Sequence, residues 1–164
     1  MAADLSGSTR VFLDACCVLN LYASGRMGEI LAAFPDQWTV ADAVLQEALY
    51  VRDDQPDEKQ VVDLTGLIVS GLLAKAQLDT EAEMSLFVRF AADLGDGEAA
   101  TCALAVSRQG IVATDDRKAI RLLGSLNPPG PALAIHCADG GNPFWPDAAD
   151  PIASMPKYRA TRNK

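Results

Sequence analysis

The sequence predicts an α/β protein with a three-layer α/β/α fold around a central parallel sheet of about four to five strands. Three observations carry that expectation. Short apolar runs at 10–14 (RVFLD) and 110–114 (GIVAT, followed by Asp115 and Asp116) end in acids, the profile of strands buried on both faces with polar C-terminal ends. Segments of helical period alternate with such runs, which is the βαβ order of a parallel sheet. The chain has 164 residues, 49% of them apolar, which suffices for one full core and falls short of two ordinary domains.

The elements follow in order. After the first strand, 15–22 is apolar enough for a helix, and Ser24-Gly25 breaks it. A second short helix over 27–34 stops at Pro35, and Trp38-Thr39-Val40-Ala41 forms strand two. Asp42 is placed to cap a helix over 43–52, in which Val44, Leu45, Ala48 and Val51 share a face. The charged stretch 52–59 (RDDQPDEK) is a solvated loop, and 61–64 is a short extended edge piece. Residues 64–71 are helical up to Gly71, and 72–78 return as a strand. Over 80–94 the helical period is strong: Met84, Phe87, Val88, Ala91 and Leu94 fall on one face, with Glu81, Glu83, Arg89 and Asp93 elsewhere. Gly95-Asp96-Gly97 separates that helix from another over 98–107, capped by Asp96. Strand 110–114, helix 118–126, a loop at 128–131 and a last strand over 132–136 complete the domain. The domain is expected to span 1–137. Residues 138–164, rich in Pro, Gly, Asp and Ala, form an irregular tail ending basic with Lys157, Arg159, Arg162 and Lys164.

Composition narrows the class. The four cysteines, Cys16, Cys17, Cys102 and Cys137, form no CxxC pair, and His136 is the sole histidine, so a Cys/His zinc site has little support. Cys16 and Cys17 read as small core residues. The first ten residues lack the apolar stretch of a secretory signal, and the most apolar segment, 61–78, is interrupted by Asp63, Lys75 and Gln77. A reduced, cytoplasmic protein with no membrane partner is the expectation. The formal charge of −8 argues against nucleic-acid binding by bulk charge, so the position of the acids becomes decisive.

In an open parallel sheet, ligands sit beyond the C-terminal ends of the strands. Asp14 and the Asp115-Asp116 pair close two strands, Asp96 and Glu98 start a helix, and Glu47 lies one turn into the helix after strand two. Four segments thus send carboxylates to one rim. Each has a plainer reading: Asp96 as a helix cap, Glu98 as a dipole partner, Glu47 as an exposed helix residue. Asp14 is the hardest to explain that way, because folding does not need an acid at the end of an apolar strand. Gathered carboxylates repel and prefer water, so the pattern suits hard cations such as Mg²⁺ or Mn²⁺. Two such ions roughly 3.5–4 Å apart hydrolyse phosphodiesters in known two-metal sites. Without metal, at least one of these acids should have a folded pKa raised by its neighbours.

The segments LDACCVLNLYASGR, VLQEALYVR, LGDGEAATCALA and IVATDDRKA resemble PIN domains in order and spacing, over about residues 11–123. The likeness is nearest to the bacterial branch that includes the VapC-type toxins. It implies an Mg²⁺- or Mn²⁺-dependent ribonuclease whose acidic quartet is Asp14, Glu47, Glu98 and Asp116, the last being the acid two after Thr114 in a T-x-D pattern. Asp115 is the alternative fourth ligand and Asp96 an outer one. Asn20 and Thr114 are the supporting polar residues. Two departures stand out: Cys16 occupies a position that is often Ser or Thr, and the tail does not resemble the usual final helix. Arg117, Lys118, Arg121 and Arg26 are the candidate RNA contacts, with a solvated helix face as the plainer alternative. The candidate partners are RNA, a second copy of the chain, and an antitoxin that presents Arg or Lys to the acids and docks near Leu21 and Leu49.

Other readings compete. A PIN-type domain could bind RNA or protein without cutting. A phosphatase of the haloacid dehalogenase type resembles DxDx after strand one, where this chain has DACC. A response-regulator receiver needs a late strand-end lysine, where this chain has His136-Cys137.

Overall fold

The computed structural model describes residues 9–34, 36–47, 49–52, 59–126 and 134–135. The first half runs β1 (Arg10–Leu13), α1 (Ala15–Ala23), α2 (Met27–Ala33), β2 (Gln37–Ala41), α3 (Asp42–Gln46), β3 (Tyr50–Arg52) and β4 (Lys59–Val61). The second runs α4 (Thr65–Val69), β5 (Ala74–Ala76), α5 (Glu81–Ala91), α6 (Asp96–Ser107), β6 (Ile111–Ala113), α7 (Arg117–Gly124) and β7 (Ala134–Ile135).

Five strands form one parallel sheet in the order β5-β2-β1-β6-β7. β1 is central, with Phe12 level with Thr39 on one side and Val112 on the other. Val11, Phe12 and Leu13 are all buried, because helices flank both faces and each strand residue meets one of them. The right-handed crossover rule assigns α1 and α2, which lead leftward from β1 to β2, to one face. It assigns α5 and α6, which lead back from β5 to β6, to the other, and α6 packs on β1, β2 and β6. The chain therefore leaves β1 in one direction and β6 in the opposite one. That reversal opens a crevice beyond the C-terminal ends of β1 and β6, where open α/β sheets take their ligands. Gly110 lets β6 approach β1 closely: a Cβ there would stand 2.5 Å from the Phe12 ring and 2.9 Å from the Arg10 carbonyl.

The expected three-layer fold is present, with four local corrections. The helix after β2 ends at Gln46, not at residue 52: Glu47 is extended (φ −68°, ψ 136°), and Tyr50–Arg52 instead pairs antiparallel with Lys59–Val61. Tyr50, Val51 and Val61 are strand formers, and a pairing partner outweighs the weak helical period of a ten-residue window. α5 is rotated from the expected face. Glu83 is 2% exposed and Phe90 equally buried, while Met84 is 47% and Val88 65% exposed. Glu83 turns inward because it completes a capping box with Thr80 and accepts the Arg108 guanidinium at 2.7 Å. The cap of α6 is Gly95, and Asp96 is an exposed first-turn residue. Leu21 is buried in the core and Leu49 half-buried, so neither offers a free docking patch. No described helix is long and apolar enough to cross a membrane. Of the expected loop at 52–59, Arg52 and Lys59 belong to β3 and β4; residues 53–58, the expected loop at 128–131, His136, Cys137 and the tail 138–164 lie outside the described residues.

Candidate functional site

The crevice is built around Asp14. As the last residue of the central strand's run it is 1% exposed, and as the N-cap of α1 it accepts the Ala15 N–H at 2.7 Å. Its other oxygen accepts the Thr114 hydroxyl at 2.8 Å and faces the Cys16 thiol at 3.5 Å. All three donors are neutral, so a carboxylate there lacks charge compensation from them. Burial, the largest influence, pushes Asp14 up from 3.8 to about 6; its hydrogen bonds pull the other way and the charge of Glu98 adds to the rise. A raised acid was expected from crowding. It is present, but desolvation leads and the neighbouring charge follows.

Thr114, fully buried at the end of β6, joins the two strand ends. Its hydroxyl donates to Asp14 and accepts the Asp116 N–H at 3.1 Å. Asp116 is half-buried and caps α7, accepting Lys118 N–H at 2.7 Å and Ala119 N–H at 3.3 Å. Asp115, also half-buried, reaches the Cys16 thiol. Glu98, buried in the first turn of α6, accepts the Gly95 N–H at 3.2 Å. One turn further, the buried Cys102 thiol is pushed up to about 12, first by burial and then by the charges of Asp14, Glu98 and Asp116. Three acids from three elements therefore act on one point of the helix.

Glu47 arrives from the C-terminal end of α3 and accepts the Gly97 N–H at 3.1 Å. A Cβ at Gly97 would collide with that carboxylate and stand 3.2 Å from a Val44 methyl, so glycine is what admits Glu47 to the start of α6. Gly97 and Cys102 were missed in the sequence; a glycine in a helical first turn between two acids was the available signal. An exposed helical Gly→Ala change ordinarily stabilises by about 0.5–1 kcal/mol. Gly97→Ala is expected instead to destabilise by about 1 kcal/mol in urea titration, through overpacking. Adding Glu47→Ala should return most of that loss. A stabilised single variant would place the Glu47 side chain elsewhere.

The arrangement is an acidic rim and not a closed cage. Among the described residues no three His, Cys, Asp or Glu side chains stand close enough to enclose one ion. Each of Asp14, Glu47, Glu98 and Asp116 is drawn aside by a backbone N–H next to it or across the crevice. The donor set nonetheless fits a hard divalent cation: carboxylate oxygens from four segments, with the buried Asp14 bonded to neutral donors. Asp96 stands exposed beside this rim. Asn20 is half-buried in α1, and among the described residues no hydrogen bond of its side chain joins these acids. Of the cationic candidates, Lys118 pairs with Asp93 (3.4 Å) and Arg26 with Glu29 (3.0 Å), both at the surface. Arg117 and Arg121 are exposed on α7 and form no ion pair among the described residues.

A family model described as a PIN domain matches residues 10–127 of the chain. No curated protein and no solved structure matches it.

Proposed function

The chain belongs to the PIN domain family, whose members are generally nucleases, and from that premise we propose that it is a metal-dependent endoribonuclease of the VapC-type toxin branch. The observation that carries the reading is Asp14, a buried carboxylate with neutral donors at the reversal point of the sheet. Asp14, Glu47, Glu98 and Asp116 would hold Mg²⁺ or Mn²⁺, with Asp115 as the alternative to Asp116 and Asp96 as an outer ligand. When bound, such an ion polarises the phosphoryl group and acidifies a water towards neutral pH.

The chain's own residues do the rest. Thr114 fixes the orientation of Asp14 and ties it to the turn that carries Asp116. Burial of Asp14 and Glu98 keeps water from screening these two acids, so their charge acts strongly on whatever enters. Arg117 and Arg121, exposed along α7 and starting beside Asp116, would take RNA phosphates; Lys118 and Arg26 would first have to leave Asp93 and Glu29. These local cations offset a chain whose net charge repels a polyanion. An antitoxin would act on the same rim by setting an Arg or Lys among Asp14, Glu98 and Asp116.

Purified protein is expected to shorten RNA with Mg²⁺ or Mn²⁺ and to stop in EDTA. Full-rate cleavage in EDTA would remove the metal from the mechanism. RNA bound but left whole with either ion would make this a binding domain.

A further inference from the structure

We propose that an unpaired RNA strand leaves the acidic rim along a row of cations that crosses from α7 to α5, with Arg89 as the far end of that row. The inference rests on the ribonuclease reading and adds the path and the strandedness of the substrate. α7 starts beside Asp116, and because Ala119 and Leu123 are its buried residues, Arg117, Lys118 and Arg121 lie together on its outward side. From Lys118 the ion pair with Asp93, at 3.4 Å, joins α7 to the end of α5. Arg89 stands four residues before Asp93, one turn back or about 6 Å along the axis, and therefore on the flank of α5 that faces α7. It is exposed, and among the described residues it forms no ion pair.

The charge of this patch is what an RNA strand needs. Outside the rim itself, Arg89, Arg117, Lys118 and Arg121 outnumber Asp93, in a chain whose formal charge is −8. Lys118 stays with Asp93 and neutralises it, so the acid does not interrupt the row. Of the acids within α5, Glu83 is turned into the core toward Arg108. Glu81 lies two turns before Arg89, about 12 Å along the axis. Ala82, Ser85 and Ala92 around Arg89 are small and exposed, which leaves its guanidinium open. Continuity with Asp116 favours RNA over an acidic protein, because a backbone held by this row runs directly into the carboxylates. An unpaired strand suits the row better than a duplex. A guanidinium can pair with a phosphate, and its plane can take an unstacked base, whereas duplex RNA hides its bases and is read by shape across two grooves.

The experiment is fluorescence anisotropy across a salt series, in Ca²⁺, a hard cation that compensates the rim. The probes are a labelled oligouridine long enough to span both helices, a short one confined to the rim, and an RNA duplex. Arg89→Gln should weaken binding of the long oligonucleotide about fivefold and lower its salt slope by about 0.7, the share of one phosphate contact on a single strand. The short oligonucleotide and the duplex should bind this variant as they bind wild type. Asp93→Asn, which releases Lys118 and deletes the acid, should tighten the long oligonucleotide and steepen its slope. Arg10→Gln makes the same charge change at the far end of β1, beside Gln37, and should leave binding and slope unaltered. An Arg89→Gln protein that behaves like Arg10→Gln would overturn the proposal and leave Arg89 to a protein partner, while the ribonuclease reading stands on wild-type binding. An equal loss on the duplex would overturn the unpaired strand. A wild type that binds none of the three probes would overturn both readings together.

Discussion

Asp14→Asn is expected to lower metal-dependent RNA cleavage by about 10³-fold, the scale on which losing one electrostatic stabiliser of a developing charge acts. The same substitution should raise the melting temperature of the metal-free protein at pH 7. The reason lies in the environment of Asp14, which is buried, bonded to neutral donors and pushed up to about 6. A folded pKa above the unfolded value means the native state holds the proton more tightly. That stabilisation is complete below the ordinary value of 3.8 and is lost as pH rises through about 6. At pH 7 the ionised side chain therefore costs the fold about 3 kcal/mol, taking about 1.4 kcal/mol per unit. Asparagine removes the charge yet keeps an acceptor for the Ala15 N–H, and it is a good N-cap. Thr114 can then accept from the new amide. The metal-free variant should melt higher by on the order of 5 °C and should show no stability change between pH 5 and pH 7 that traces to this residue. Wild type in EDTA should gain stability over the same descent in pH, and Mg²⁺ should raise wild type more than the variant. A variant that melts well below wild type would mean the carboxylate is a structural acceptor at this position.

Arg108→Met is expected to destabilise the protein by about 2–3 kcal/mol. Arg108 caps the C-terminal end of α6 and holds Glu83 through Nε at 2.7 Å and Nη2 at 3.3 Å. Nη2 also donates to the Gln77 carbonyl at 2.8 Å and to Asp79 at 3.4 Å. Glu83 is 2% exposed, so removal of its partner strands a charge in the core. Breaking a fully buried pair costs about 3–5 kcal/mol; the Arg108 side chain is 25% exposed, which reduces the figure. The guanidinium, ahead of the backbone N–H groups of Asp79 and Thr80, holds Glu83 down from 4.5 to about 2. A depressed folded pKa gives stability that is present above the ordinary value and lost as pH falls through about 2. Wild type should therefore weaken on acidification below about pH 4.5, and that slope should flatten in Arg108→Met. Adding Glu83→Gln, which keeps the capping-box acceptor, should recover part of the loss at neutral pH. An Arg108→Met protein as stable as wild type would show the pair to be idle.

The sequence by itself determined the fold class and the positions of the acids. Apolar runs ending in Asp14 and in Thr114-Asp115-Asp116 can be satisfied only as strands buried on both faces with polar ends, and burial of that kind forces parallel pairing and helical cover. Local signals also located the strong helical period over 80–94 and the break at Gly71. The tertiary structure decided what periodicity cannot see. Whether 50–52 is helix or strand depended on a partner at 59–61, seven to eleven residues further along and beyond the reach of a helical window. Which side of α5 faces inward was set by Glu83, because an acid counts as outward until its guanidinium, twenty-five residues away, is in view. That Asp14 is raised chiefly by desolvation, that Thr114 bridges two strand ends, and that Gly97 makes room for Glu47 are all facts of contact across 50 to 100 residues of chain. Hydrophobic pattern is a property of neighbours in sequence and therefore fixes elements. The charge on a buried group is set by neighbours in space, and only the packed chain supplies those.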